Sequence, residues 1–195
     1  MKLLFLLLIA TSGFSLEVYS QTLEYEIFKG KKSVGKLQIR RSNLAEKVRY
    51  QLESNVLISF LADFKVETQS DIVYQEGLLH ASEAYIYLND KIRETNKIRK
   101  KGNGYAVNKD DDEERILANT SIKYSVINLY YTEPVGMDKI FSERFAEYCA
   151  LKKVESNVYK LTLPNGNHTI YHYRNGQCYK VEVIRPLANL EFRLI

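Results

Sequence analysis

The chain has 195 residues, a net charge of +4 and 45% hydrophobic residues, with 15 tyrosines and no tryptophan. So mild a charge argues against nucleic-acid binding, which needs a concentrated basic face. The length beyond the first 20 residues, about 175, is enough for one domain with a real core.

The chain opens with Lys2 and an uncharged apolar run from Leu3 to Ala10. That run is too short to span a bilayer and has the form of a secretory signal peptide. Val18-Tyr19-Ser20 places cleavage before Gln21, with cleavage after Ser15 as the alternative. Residues 1–20 are then the leader and 21–195 a single β-rich domain. Removing Lys2 and Glu17 leaves the charge unchanged. No cysteine lies near the junction to carry a lipid anchor, and no later run is long enough for a transmembrane helix. The mature chain is expected in a periplasm or outside the cell.

Leu23, Tyr25 and Ile27 alternate with acids and predict a first strand; Gly35, Leu37 and Ile39 predict a second, after a turn at Gly30-Lys31-Lys32. The longest pattern follows. From Val48 to Tyr74 the even positions are mainly apolar, and the odd ones around them are mainly polar or charged. Successive strand side chains point to opposite faces, so this is a ribbon with one dry and one wet face. It is too long for one strand, so a hairpin is expected near Leu57 to Asp63. The dry parity survives that bend, which implies an odd-length loop or a bulge.

Leu78 to Leu88 reads as a further strand, turned by Asn89-Asp90. The basic stretch Lys91 to Lys101 folds back at Gly102-Asn103-Gly104 towards the acidic run Asp110 to Glu114, an arrangement that favours opposite charges across a strand pair. Ile122, Val126, Leu129 and Tyr130 recur at helical spacing behind a candidate cap at Asn119, Thr120 or Ser121, and Pro134 stops the run. A helix near 120–131 is therefore expected. Strands follow over Ala146 to Lys153, Tyr159 to Leu163, Thr169 to Tyr173, Tyr179 to Val183 and Leu190 to Leu194, with Asn175-Gly176 the strongest hairpin signal. The expected fold is mainly β: a strongly curled antiparallel sheet, half-barrel or barrel, of about ten to twelve strands, with one helix on its concave face.

Cys149 and Cys178 fall on the first and last strands of a four-strand meander. Three inter-strand steps span roughly 14 Å, and a disulfide needs its Cα atoms within about 7 Å. The topology favours two unbridged buried thiols over a Cys149–Cys178 bond.

Motifs with chemical spelling lack their context. Gly30 to Lys36 spells most of a phosphate-binding loop, but Leu37 stands where Ser or Thr belongs, and a strand follows instead of a helix. Ser33 and Lys36 have the spacing of serine acyl-enzymes, but on a strand they point to opposite faces. His168 and His172 would lie about 13 Å apart on one strand, too far for one metal, and His80 is alone. Asp110, Asp112 and Glu114 mimic a calcium loop, with Arg115 where its glycine belongs. These readings leave no catalytic residue, metal or cofactor assigned. The remaining signal is bulk: Tyr25, Tyr50, Phe60, Phe64, Tyr74, Ile122, Val126 and Leu129 either line a cavity for an apolar ligand or form an ordinary core.

Several short motifs carry a resemblance: the leading Leu-x-Tyr-x-Ile strand, Val34-Gly35, Leu129-Tyr130-Tyr131-x-x-Pro134, Ile140-Phe141-Ser142-Glu143 and Tyr171-x-Tyr173-x-Asn175-Gly176. The chain resembles a family of uncharacterised secreted proteins of Bacteroidetes-type bacteria, a domain of unknown function. The inferred shape is similar to lipoprotein carriers, half-barrels that hold a lipid chain under a helix. The resemblance implies location and fold and carries no catalytic residue.

Three functional expectations follow. The first is a non-catalytic binding or carrier protein, with a lipid or other apolar ligand between sheet and helix. The second is an envelope protein-protein interaction module acting through the basic strand 91–101. The third, a hydrolase, lacks a base–nucleophile set.

Overall fold

A computed structural model describes residues 19–59, 63–110, 112–186 and 189–195. Residues 1–18 of the expected leader, and Phe60, lie outside the described residues.

Strands β1 (Tyr19–Lys29), β2 (Lys32–Leu44), β3 (Lys47–Ser59), β4 (Asp63–Gln75), β5 (Leu78–Leu88), β6 (Lys91–Lys101), β7 (Gly104–Lys109) and β8 (Arg115–Leu117) form one antiparallel meander. Strands β9 (Lys139–Ser142), β10 (Glu147–Glu155), β11 (Val158–Thr162), β12 (His168–Arg174), β13 (Gln177–Ile184) and β14 (Leu190–Leu194) form a second. Pairing of β1 with β14, Tyr25 opposite Leu194 and Ile27 opposite Phe192, joins them into one 14-stranded sheet. The open edges are β8 and β9, which are consecutive in the chain. Residues 118–138 therefore run as a strap from one edge of the sheet to the other.

The ribbon reading holds in detail. Ser59 pairs with Asp63 and Lys47 with Gln75, so a three-residue loop joins β3 to β4 and the dry face keeps its parity. The inner row Tyr50, Ile72 and Tyr74 is buried with Leu23, Tyr25, Ile27, Leu37 and Ile39 of β1 and β2. The outer row carries cross-strand ion pairs, Arg49 with Asp71 and Arg99 with Glu83. Gly35 has a packing reason: a Cβ there would sit 2.0 Å from the Asn55 carbonyl oxygen of β3. Only glycine lets the two backbones approach so closely.

Two expectations are corrected. Among the described residues there are 14 strands, because the edge strands β8 and β9, of three and four residues, are too short to show a period. The helix over 120–131 is not formed. The strap is extended through Ser125 (φ −137°, ψ 178°) and makes only a short 3₁₀ turn, Val126–Tyr130. Its backbone finds partners elsewhere: Ile122 O accepts from Leu79 N of β5 at 2.8 Å, Ile122 N donates to Tyr105 Oη at 3.2 Å, and Ser125 bridges to Phe141 of β9. A helix rises about 1.5 Å per residue against about 3.3 Å for extended chain. The longer reach suits a segment that spans two sheet edges.

Cys149 on β10 and Cys178 on β13 are both buried and unbonded, three strand steps apart. Burial pushes their thiols up to about 11 and about 12, which makes them inert as nucleophiles at neutral pH. Among the described residues no helix is long and apolar enough to cross a membrane.

Candidate functional site

The strap fills one end of the concave face, and tyrosine hydroxyls hold it there. Tyr173 donates to Leu129 O at 2.7 Å, Tyr131 to Ile39 O at 2.9 Å and Tyr159 to Glu133 Oε1 at 2.8 Å. An irregular buried segment needs such partners, because each unpaired backbone group inside the protein costs about 1–3 kcal/mol. The rings pack edge to face at the same time, Tyr130 against Tyr25 at 5.5 Å and against Tyr171 at 6.0 Å.

A buried polar network pins the 3₁₀ turn. Ser125 Oγ donates to Glu143 Oε1 at 2.5 Å, and Ile127 N donates to the same oxygen at 3.2 Å. Tyr74 Oη lies 2.6 Å from Ser125 Oγ and donates to Asn128 Oδ1 at 2.9 Å. Asn128 Nδ2 reaches Tyr50 Oη at 3.2 Å. Asn96 of β6 donates to the carbonyls of Glu143 and Arg144. Glu143 is 7% exposed. Desolvation raises its pKa above the ordinary value, opposed by the hydrogen bonds it accepts. The network joins an acid to a hydroxyl, without a histidine or lysine among the members named.

Beside this network lies a cavity of about 150 Å³. Its sheet wall is Leu52 of β3, Thr68, Ser70 and Ile72 of β4, and Ala84 and Ile86 of β5; its roof is Val126, Ile127 and Tyr130 of the strap; Ser142, Glu143 and Arg144, at and just beyond the end of β9, close one end. Arg144 stands at the rim, its guanidinium paired with Glu94 of β6 (Nε to Oε2, 2.8 Å). Half of the lining residues are aliphatic; Thr68 and Ser70 add hydroxyls to the sheet wall, and Ser142, Glu143 and Arg144 gather at one end, which suits a small apolar group with a polar tip.

Of the residues singled out in the sequence, Val126 lines this cavity. Tyr25, Tyr50, Tyr74, Ile122 and Leu129 are packed in solid core, where the strap meets the inner sheet face. Phe64, near the β3–β4 hairpin end, is 38% exposed. Of the residues that build the network and the rim, Ser125, Asn128, Arg144 and Asn96 were not singled out, and Glu143 appeared only within the motif Ile140-Phe141-Ser142-Glu143, with no role assigned.

The other motifs are absorbed by structure. Lys36 lies within β2, paired with Glu26 and Asn55. His172 Nε2 bonds Glu182 at 2.8 Å. Asp110 accepts from Thr95 N at 2.6 Å, and Glu114 pairs with Lys101. On the basic strand, Arg99 and Lys101 thus have acidic partners in Glu83 and Glu114.

Fold and site together define a mostly β protein: one open antiparallel sheet curled into a barrel-like shell around its own strap. The chain belongs to the DUF6134 family, a domain of unknown function whose profile matches residues 25–195. It is similar in structure to a crystallised β-barrel-like protein of the DUF1849 domain of unknown function from Brucella abortus. The two share 9% identity at a TM-score of 0.51, over 93% of this chain and 98% of that one. That likeness shows the fold alone. No curated protein matches the chain.

Proposed function

We propose that the chain is a non-catalytic binding protein, exported by its N-terminal leader, that holds an apolar group between the sheet and the strap. The observation that carries this reading is the cavity of about 150 Å³ between β3–β5 and the 3₁₀ turn. An apolar cavity of about that volume accepts one benzene-sized group. The inner rows supply the apolar wall and the strap supplies the roof, which is the arrangement of a binder with a preformed site. Lys2 and the apolar run Leu3 to Ala10 support export.

Calorimetric titration of the protein with toluene, a one-ring probe, tests this. Saturable 1:1 binding is expected, and Ala84→Phe, which fills the cavity from β5, is expected to abolish it while the protein stays folded. Equal toluene binding by the folded variant would remove the cavity from the account.

A further inference from the structure

The polar groups that line the cavity fall into two sets. At its closed end they already have partners. The Glu143 carboxyl accepts from Ser125 Oγ and from the backbone of Val126 and Ile127. Arg144 is paired with Glu94, and the Ser142 hydroxyl is a hydrogen-bond partner of the Cys149 thiol. Along the wall and roof the hydroxyls are free. Thr68 and Ser70 of β4 line the sheet wall, and Tyr130 lines the roof. Among the described residues, none of these three hydroxyls has a hydrogen-bond partner in the protein. Tyr130 is 7% exposed, and its ring is held edge to face by Tyr25 and Tyr171. The wall pair sits among aliphatic groups, Ile86 opposite Thr68, and Leu52 and Ala84 opposite Ser70. A buried hydroxyl without a partner is costly, and a ligand that supplies the partner removes that cost.

We propose that the ligand is a neutral one-ring alcohol, its ring against the aliphatic wall and its hydroxyl received among Tyr130, Thr68 and Ser70. This rests on the cavity reading above. Both charges in the lining, Glu143 and Arg144, already have partners, so an ionic head would find no free counter-charge there. A hydroxyl both donates and accepts, as each of the three protein hydroxyls does, so it pairs with them in either sense. A cavity of about 150 Å³ takes one ring.

The test is calorimetric titration of the full chain at neutral pH with phenol and with toluene, which share a ring and differ in hydroxyl against methyl. The wild type is expected to bind phenol at least about tenfold more tightly than toluene. Tyr130→Phe, which keeps the packed ring, is expected to lose part of that preference. Adding Thr68→Val and Ser70→Ala to it is expected to leave both probes with the toluene affinity. Equal binding of the two probes by the wild type would overturn the hydroxyl and leave the cavity reading standing. A preference unchanged in the single and the triple variant would overturn the three residues as its receivers. Failure of the wild type to bind either probe would overturn both readings.

Discussion

The two ends of the β3–β4 ribbon have the same alternation and different fates. At one end Tyr50, Ile72 and Tyr74 are buried beneath the strap, the Tyr74 hydroxyl tied to Ser125 and Asn128 and the Tyr50 hydroxyl to Asn128. Towards the hairpin, Leu52, Ile58, Val66 and Thr68 are only half-buried, and Phe64 is exposed. Alternation decides which face of a strand is dry. It does not decide what covers that face, and here the cover is an irregular segment that reaches only part of the sheet. The cavity lies at the boundary between the two ends, where Leu52, Thr68 and Ser70 meet Val126 and Tyr130.

That contrast can be broken by mutation. Leu129→Ala, at a fully buried strap position, is expected to lose about 2–5 kcal/mol in urea unfolding. Phe64→Ala, at the uncovered end, is expected to lose under about 1 kcal/mol. Comparable losses at the two positions would deny the division. Gly35→Ala forces a methyl group onto the Asn55 carbonyl, and a loss of about 1–3 kcal/mol is expected by the same measurement. Tyr74→Phe leaves Ser125 and Asn128 short of a buried partner and is expected to cost about 1–2 kcal/mol.

Glu143 sharpens the comparison through pH. A carboxyl whose folded pKa is raised adds stability below its unfolded value and loses it as pH rises through the folded one. Gln keeps an acceptor oxygen for Ser125 and Ile127 without the ionisation. The stability of the wild type relative to Glu143→Gln is therefore expected to fall as pH is raised from about 4 to 8, read as the gap between two Tm-against-pH curves. A constant gap would mean that Glu143 does not titrate within the sealed end. The smallest effect is expected on the outer face: Arg49→Ala, which removes the exposed pair with Asp71, should cost under about 1 kcal/mol and lose even that in high salt.

Most of the sheet was legible because strand signals are local. The odd-length loop between β3 and β4 followed from the parity of Val48 to Tyr74 alone. The pairing of β1 with β14 was not legible, because it joins the two ends of the domain and is set by how the whole sheet curls. The helix error has a specific source. Ile122, Val126, Leu129 and Tyr130 have helical spacing, but partners on β5, β7 and β9 drew the backbone of 122–125 into extended form. Glu143 was visible as the one acid following Ile140-Phe141-Ser142, a run that proves buried. The row Tyr179, Val181, Val183 reads as one face by alternation, but a bulge between His172 and Tyr173 turns Cys178 inward and sets Tyr179 against His172 on the outer face.

The central claim is that the space between sheet and strap holds a ligand. Native mass spectrometry of the protein purified from the cells that make it, followed by organic extraction, tests this most directly. The account predicts a one-to-one adduct that extraction identifies as a compound with an apolar group, absent from Ala84→Phe. A clean ligand-free mass, together with no uptake of toluene, would contradict it and leave a shell closed on its own strap.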